Sequence, residues 1–473
     1  MTGDITRLSA LHLSKAIHSK QVSCIAVMEA YLDRIERLNP NINAIIFLRP
    51  RAELLAEARL ADEELANGAS RGWMHGFPQA VKDLSEVRDL PTSWGSPIYR
   101  DHVSTEDSIH VERIRKAGAI FIGKTNAPEF GLGSHTTNPV HGPTKNPYDP
   151  TKSAGGSSGG AAAALAARLL PVADGSDMMG SLRNPAAFNN VVGFRPSAGR
   201  VPSDGTELFI GQLSTAGPMG RTVTDVAALL VTQAGYDPRD PLSLSAEDLT
   251  LRGPAETKGL NIAWFGDFDG YLSFEPGVLD LGRKALDVLV SIGCQIETVR
   301  PEFDLQTLWD AWLTLRSFDV AHGLRELYDR PETRAHLNPQ LRYEFELAQS
   351  RTPADIHAAS TVRTSWYKYM LAVFSRYDYL VMPAAQIFPF DVDLPWPQTV
   401  DVKETDTYHR WMEVVIGPTM AGLPVAAMPA GFNAYGIPNG IQIVGPPRSD
   451  RATLEFALAY EQAAEIETGN AFD

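Results

Sequence analysis

Residues 153–160 read SAGGSSGG and residues 177–185 read DMMGSLRNP, and the stretch from Ser153 to Pro202 that contains both decides the fold of this chain. A loop so rich in Gly and Ser lets backbone N–H groups approach a ligand closely. The two Gly-Ser pairs offer Ser157 and Ser181 to one pocket. Upstream, the apolar approach Gln79-Ala-Val ends in Lys82, where burial favours a neutral amine. We predict that these two serines and this lysine form one chemical centre.

The composition is that of a globular protein with a large core. The chain has 473 residues, 44% hydrophobic and 21% charged, with a formal net charge of −15. An acidic balance without a Lys/Arg-rich run argues against nucleic-acid binding and mainly promotes solubility. Cys24 and Cys294 lack zinc or disulfide spacing, and no histidine pair has metal-ligand spacing. We therefore predict two buried thiols, no metal and no cofactor.

The N-terminal region predicts helices rather than a targeting segment. It has no basic-then-apolar signal, and no apolar stretch in the chain is long enough to span a bilayer, so we predict a cytoplasmic protein without membrane contact. From Thr6 to Leu38, apolar residues recur at helical spacing and predict two helices, joined near residues 20–23 and ended by Asn39-Pro40. The apolar faces of these two helices are consistent with a homodimer contact and equally with burial within the same subunit.

Helical and strand patterns alternate after this pair. Residues 108–117 predict a helix ended by Gly118, and residues 119–122 predict a short buried strand. The alanine-rich residues 160–168 predict a tightly packed helix that starts at the serine-rich loop. Such alternation predicts an α/β fold. The aromatic residues between 303 and 379 indicate a helical layer with its own core, with a substrate pocket as the alternative.

Three short motifs suggest other chemistry, but their context argues against it. Residues 118–125 satisfy the phosphate-loop pattern, yet a helix precedes them and apolar residues fill the loop. Residues 156–160 fit a nucleophile elbow without the strand that must precede it, and Ser365-x-x-Lys368 lacks the companion motifs of β-lactamases. We reject all three.

The two serine-containing segments and the upstream Val-Lys-Asp resemble the amidase signature family. Further similar segments occur in family order over nearly the whole chain: residues 39–44, 117–126, 142–146, 217–222, 422–425 and 440–445. The resemblance implies an α/β fold with a large mixed central β-sheet covered by helices on both faces. It also implies one domain over residues 1–473, with an N-terminal helical part (1–75), a signature core (76–235) and a helical, aromatic-rich cap (300–380).

The resemblance also implies the role of each site residue. Ser181 matches the nucleophile that forms an acyl-enzyme, Ser157 the proton relay on a cis peptide, and Lys82 the base. Backbone N–H groups are expected to form the oxyanion hole, and neighbouring side chains to support the loop or, in a weaker expectation, to contact substrate. The hole comprises Met178, Met179, Gly180 and Ser181; the supporting residues are Ser158, Asp177 and Arg183; the substrate contacts are His135 and Thr136.

Two residues depart from the usual family pattern. Met179 stands where relatives commonly have Gly, so a positive φ at this position would strain it. Leu84 replaces the Asn that often follows Lys-Asp, and an apolar neighbour favours a lower pKa for Lys82.

The predicted function is hydrolysis of a small-molecule amide, with an aryl or hydrophobic group favoured by the methionine pair and the aromatic segment. One alternative is the glutaminase subunit of a tRNA-dependent amidotransferase. Another is a non-catalytic binding protein on the same scaffold, which the filled catalytic positions disfavour.

Overall fold

The computed structural model describes residues 4–205, 207–469 and 471–472, which form a mixed α/β structure. The helices are α1 (Ala10–His18), α2 (Cys24–Ile42), α3 (Arg51–Ala66), α4 (Ile109–Lys116), α5 (Gly159–Ala166), α6 (Arg183–Phe188), α7 (Val223–Gln233), α8 (Val278–Ser291), α9 (Leu305–Gly323), α10 (Arg325–Asp329), α11 (Pro331–Arg334), α12 (Pro339–Gln349), α13 (Pro353–Phe374), α14 (Ile416–Met420) and α15 (Asp450–Ala463). The strands are β1 (Ile45–Ile46), β2 (Pro78–Lys82), β3 (Ile120–Thr125), β4 (Val172–Asp177), β5 (Val192–Arg195), β6 (Thr215–Gly220), β7 (Asn261–Trp264), β8 (Gln295–Thr298), β9 (Tyr379–Pro383), β10 (Thr399–Val400), β11 (Lys403–Glu404), β12 (Val425–Phe432) and β13 (Pro438–Val444).

The central sheet has eight strands in the order β4-β6-β5-β12-β13-β9-β7-β8. Pairing is antiparallel from β4 to β9 and parallel for β9-β7 and β7-β8, so the sheet is mixed. A smaller sheet, β1-β3-β2, pairs β2 and β3 in parallel. The predicted large mixed sheet is confirmed.

Helices cover both faces of the central sheet. The side chains of its buried strands point alternately into two hydrophobic cores, one on each face. On β9, Leu380 packs into a cluster with α9 and α13, whereas Val381 packs into a cluster with α7, α8 and α15. Successive side chains of a strand point to opposite faces, so a strand buried on both faces is apolar at consecutive positions. The predicted coverage by helices on both faces is confirmed.

The N-terminal helix pair packs inside this subunit. Leu13, Ile17, Val27 and Tyr31 are buried in one cluster with strand residues, so the apolar faces that suggested a homodimer are already covered. The predicted end at Asn39-Pro40 is wrong: α2 continues to Ile42 and ends where Asn43 adopts the left-handed conformation. Pro40 cannot donate the hydrogen bond to the Glu36 carbonyl, yet the helix continues for two more residues.

The other predicted elements are present with small shifts in their bounds. Helix α4 is followed by Gly118 at φ +104°, and β3 extends to Thr125, so the lysine of the phosphate-loop pattern lies inside a strand.

Residues 300–380 contain α9 to α13, and Trp309, Trp312 and Trp366 are buried in the core as the favoured interpretation predicted. The segment before Ser157 is irregular, which excludes the nucleophile elbow, and Ser365 and Lys368 are exposed on α13.

Two further sequence predictions concern cysteines and membrane contact. Cys24 and Cys294 are buried free thiols. Within the described ranges, every helix is too short or too polar to cross a bilayer.

Candidate active site

Lys82 is the last residue of β2, and its side chain is fully buried. Its Nζ donates hydrogen bonds to Ser157 Oγ at 2.8 Å, Ser158 Oγ at 2.9 Å and Ser176 Oγ at 3.0 Å. Among the described residues, these three hydroxyl groups therefore surround the amine and no carboxylate contacts it directly. Burial lowers the pKa of Lys82 to about 7, although Asp174 and Asp177 oppose that shift through their negative charge. A substantial neutral fraction at neutral pH lets this amine accept a proton.

The loop before α5 positions the two serines at the lysine. The Gly156-Ser157 peptide is cis, as the family resemblance implied. Ser158 is the N-cap residue of α5, and its N–H donates to the Ser181 carbonyl at 3.3 Å. This bond joins the loop directly to the second serine segment.

Ser181 follows β4 and lines one cavity together with Ser157 and Ser176. The cavity has a volume of about 110 Å³, and its apolar wall includes Met178 and Met179. Ser181 Oγ forms no hydrogen bond with the part of the chain that the structure describes, so the hydroxyl is free to meet a substrate. The structure thus brings together all three residues of the predicted centre.

The carboxylate of Asp177 organises the turn that carries Ser181. Arg183 donates to both of its oxygens at 2.9 Å, and Arg195 donates to Oδ1 at 3.1 Å and to the Asp177 carbonyl. The N–H groups of Gly180 and Leu182 also donate to it. Burial alone would raise the pKa of Asp177, but the two guanidinium groups hold it well below its usual range. The predicted Asp177–Arg183 ion pair is confirmed, and it fixes the shape of the turn.

The predicted oxyanion hole needs one correction. The Gly180 N–H donates to Asp177 Oδ1 at 2.9 Å, so it is not available to a substrate. The N–H groups of Met178, Met179 and Ser181 have no acceptor among the described residues. We therefore remove Gly180 from the candidate hole and keep the other three as donors.

The strain anticipated at Met179 is absent because the positive φ falls on the next residue. Gly180 has φ +77°, and a Cβ there would lie 2.9 Å from Val415 Cγ2. Both the backbone conformation and the close approach require glycine at this position. Met179 is not among the positive-φ residues, and its side chain is 4% exposed in the core beside the cavity.

The two weaker substrate-contact candidates make hydrogen bonds within the protein. His135 Nδ1 lies 2.8 Å from Ser153 Oγ, and its Nε2 lies 3.0 Å from the Val392 carbonyl. Burial lowers the pKa of His135 to about 4, so the ring is a neutral structural group. Thr136 is fully buried, and its hydroxyl accepts the Gly159 N–H at 3.1 Å. Neither residue lines the Ser181 cavity.

Sequence reasoning missed three contributors to the site. Ser176 contacts Lys82, and its position in Asp174-Gly-Ser-Asp177, directly before the nucleophile segment, was the available signal. Arg195 lies in the Gly193-Phe-Arg-Pro196 motif but had no role assigned. Arg316 lines the cavity from α9, where an aromatic-rich helical pattern gave no local signal.

Comparisons with known proteins agree with this fold. The amidase family model matches residues 26–454. An acylamidase from Rhodococcus erythropolis is 33% identical over 461 residues, covering 96% of this chain and 95% of the relative. One subunit of the glutamyl-tRNA(Gln) amidotransferase of Acidothermus cellulolyticus is 32% identical, with 98% of this chain and 96% of that relative covered.

A solved structure also matches this chain. A bacterial aryl acylamidase of the amidase signature enzymes matches with a TM-score of 0.90 and 29% identity, covering 97% of this chain and 96% of that one. These matches define the class as a hydrolase that acts on amide C–N bonds. The chain belongs to the amidase family, among the amidase signature enzymes.

Proposed function

We propose that this enzyme hydrolyses a neutral carboxamide with a small hydrophobic or aryl acyl group, through an acyl-enzyme on Ser181. The observation that carries the proposal is the buried Lys82 amine, which lies 2.8 Å from Ser157 Oγ, while Ser157 and Ser181 line one cavity. This arrangement supplies a base, a relay and a nucleophile without a histidine.

The proposed reaction has two half-reactions. Neutral Lys82 accepts the Ser157 proton while Ser157 accepts the Ser181 proton, and Ser181 Oγ attacks the amide carbonyl carbon. The N–H groups of Met178, Met179 and Ser181 stabilise the oxyanion. The C–N bond then breaks as the proton returns through Ser157 to the leaving amine. In the second half-reaction, water attacks the acyl ester and gives its proton through Ser157 to Lys82. The proton then returns through Ser157 to Ser181 Oγ as the ester bond breaks and the carboxylic acid product leaves as its carboxylate.

The cavity favours a neutral amide over glutamine. Of the described residues that line it, Arg316 alone carries an ionisable side chain, so no carboxylate there meets the α-ammonium of an amino acid. A volume of about 110 Å³ is comparable with the ~150 Å³ apolar cavities that hold benzene. A larger cavity of about 1160 Å³ shares Ser176, Met178 and Ser214 with it and has room for a bulky leaving amine. The acylamidase relatives are consistent with this substrate class.

A substrate panel tests the proposal against the glutaminase alternative. Purified enzyme is assayed with neutral anilides of increasing acyl size and with glutamine, by aniline and ammonia release. We expect turnover of anilides with short or aryl acyl groups, and kcat/KM for glutamine at least about 100-fold lower, because the buried cavity leaves its ammonium group unpaired. Preferred turnover of glutamine, together with isolation of a stable heteromeric complex, would support the amidotransferase alternative.

The pH profile tests the role of the lysine. Burial lowers the pKa of Lys82 to about 7, and only the deprotonated amine accepts a proton. We expect kcat/KM to rise about tenfold per pH unit below about pH 6 and to level above about pH 8. A neutral substrate such as acetanilide keeps substrate ionisation out of the profile. A profile that falls between pH 6 and pH 8 would contradict the assignment of a neutral lysine base.

Met179 provides a test of the acyl pocket. Met179→Ala removes side-chain volume from the cavity wall, so kcat/KM for bulky acyl anilides is expected to rise at least about threefold relative to acetanilide. Because the side chain is buried, the free energy of unfolding is expected to fall by about 2–5 kcal/mol. Urea unfolding and the anilide series measure the two effects separately. An unaltered order of substrates in the folded variant would remove Met179 from the pocket.

A further inference from the structure

Arg316 is a charged group at the cavity of the proposed chemistry that the mechanism does not use. It lies on α9, its side chain is 4% exposed, and it lines the same cavity as Ser181. A guanidinium buried at a reaction cavity requires compensation for its charge and partners for its N–H groups.

The charge of Arg316 is compensated by one carboxylate. Its Nε donates to Glu344 Oε1 at 2.8 Å, and its Nη2 donates to the Tyr408 hydroxyl at 2.8 Å. The Tyr408 hydroxyl in turn donates to Glu344 Oε1 at 2.5 Å. Glu344 is fully buried, so the guanidinium and the carboxylate form a buried ion pair behind the cavity wall.

The remaining nitrogen has no comparable partner. Arg316 Nη1 contacts Met178 Sδ at 3.2 Å, and Met178 lines the cavity beside it. A thioether is a weak acceptor, and Nη1 carries two hydrogens, of which one sulfur atom satisfies at most one. Among the described residues, Nη1 has no oxygen acceptor, so its hydrogen-bonding capacity is left for a ligand in the cavity.

We infer that Arg316 is a specificity-determining residue, and that the preferred substrates are amides whose acyl group carries a second, neutral hydrogen-bond acceptor such as an ether or carbonyl oxygen. This inference rests on the proposed function of the Ser181 cavity. An oxygen of the acyl group accepts from Arg316 Nη1 while the scissile carbonyl lies at Ser181.

The acceptor is neutral because the charge of Arg316 is already matched. A substrate carboxylate would add a net negative charge to a cavity whose guanidinium is paired with Glu344, and burial of an unmatched charge is costly. A neutral oxygen accepts a hydrogen bond from Arg316 Nη1 without that cost. Methoxyacetyl and 4-methoxybutyryl amides therefore fit the site better than butyryl and hexanoyl amides, which differ from them by a CH₂ in place of the oxygen.

The test compares these two isosteric pairs of anilides in the wild type and in Arg316→Met/Glu344→Gln. The double variant removes both charges, because loss of the arginine alone would leave Glu344 buried and unpaired. The measured quantity is the ratio of kcat/KM between the ether and alkyl member of each pair. Any intrinsic difference in carbonyl reactivity is common to both enzymes and cancels.

We expect the ether preference of at least one pair to fall at least tenfold in the double variant, mostly through KM, because the lost contact serves binding. Arg316→Lys keeps a positive charge beside Glu344 but lacks the planar fork, and the same fall is expected in this second variant. Arg316→Lys therefore tests the role of Arg316 if the double variant fails to fold. Ratios equal to those of the wild type in a folded variant would overturn the inference.

Covalent labelling of Ser181 by a fluorophosphonate probe distinguishes a failure of this inference from a failure of the proposed function. A variant that is labelled but has lost the ether preference supports the role of Arg316. Wild-type protein that is folded but not labelled contradicts the proposed function instead. A labelled wild type that turns over both members of each pair equally, after correction for their reactivity toward hydroxide, contradicts the role of Arg316 alone.

Discussion

Ser181→Ala is expected to lower kcat for a neutral anilide by a factor of the order of 10⁵ to 10⁶, because removal of the nucleophile leaves only binding and oxyanion stabilisation. The substitution deletes one oxygen at a position that is 7% exposed, and Ser181 Oγ forms no hydrogen bond with the described part of the chain. The melting temperature is therefore expected to stay within about 2 °C of the wild type. Steady-state kinetics and thermal unfolding measure the two quantities.

Ser214→Ala is the matched control for this prediction. Ser214 lines the same cavity but does not contact Lys82, so the same deletion there is expected to change kcat less than about tenfold. A Ser181→Ala protein that keeps more than a hundredth of the wild-type kcat would exclude Ser181 as the nucleophile.

Lys82→Met is expected to produce the second largest loss, a decrease in kcat of about 10³-fold or more, because a general base contributes about 10²- to 10⁴-fold. Methionine roughly keeps the length and volume of the lysine side chain, so the fully buried site is not emptied. The rise of kcat/KM around pH 7 is expected to disappear with the amine. Residual activity measured from pH 5 to pH 9 checks both statements.

Lys124→Met separates the chemistry of Lys82 from the loss of a buried lysine side chain. Lys124 lies opposite Val81 on the neighbouring strand, is also fully buried, and donates to Thr92 Oγ1 at 3.0 Å. We expect its replacement to lower stability while kcat stays within about tenfold of the wild type. Equal losses of kcat in both lysine variants, with equal losses of stability, would remove the base role from Lys82.

The α/β class and the grouping of the three site residues were predictable because their signals are local, whereas the mixed sheet and the residue roles were implied by the family resemblance. Ser157, Ser181 and Lys82 lie in short motifs, and apolar runs mark the buried strands. The extension of α2 through Pro40 was not predictable, because the lost hydrogen bond and the ring clash of a proline both indicate an earlier helix end.

The details of the site depend on contacts that a linear sequence does not contain. The positive φ at Gly180 rather than Met179 follows from the hydrogen bonds to Asp177 and the approach of Val415. Because the Gly180 N–H donates to the Asp177 carboxylate, it is not available to the oxyanion hole. Arg316 reaches the cavity from a distant helix, and only its tertiary contacts with Glu344 and Met178 give it significance.

Intact-mass analysis after incubation with a fluorophosphonate probe tests the central claim most directly. We expect a single adduct on the wild type, faster to form at pH 8 than at pH 6, and no adduct on Ser181→Ala. An adduct that persists on the folded Ser181→Ala protein, or none on the folded wild type across this pH range, would contradict the assignment of Ser181 as an activated nucleophile.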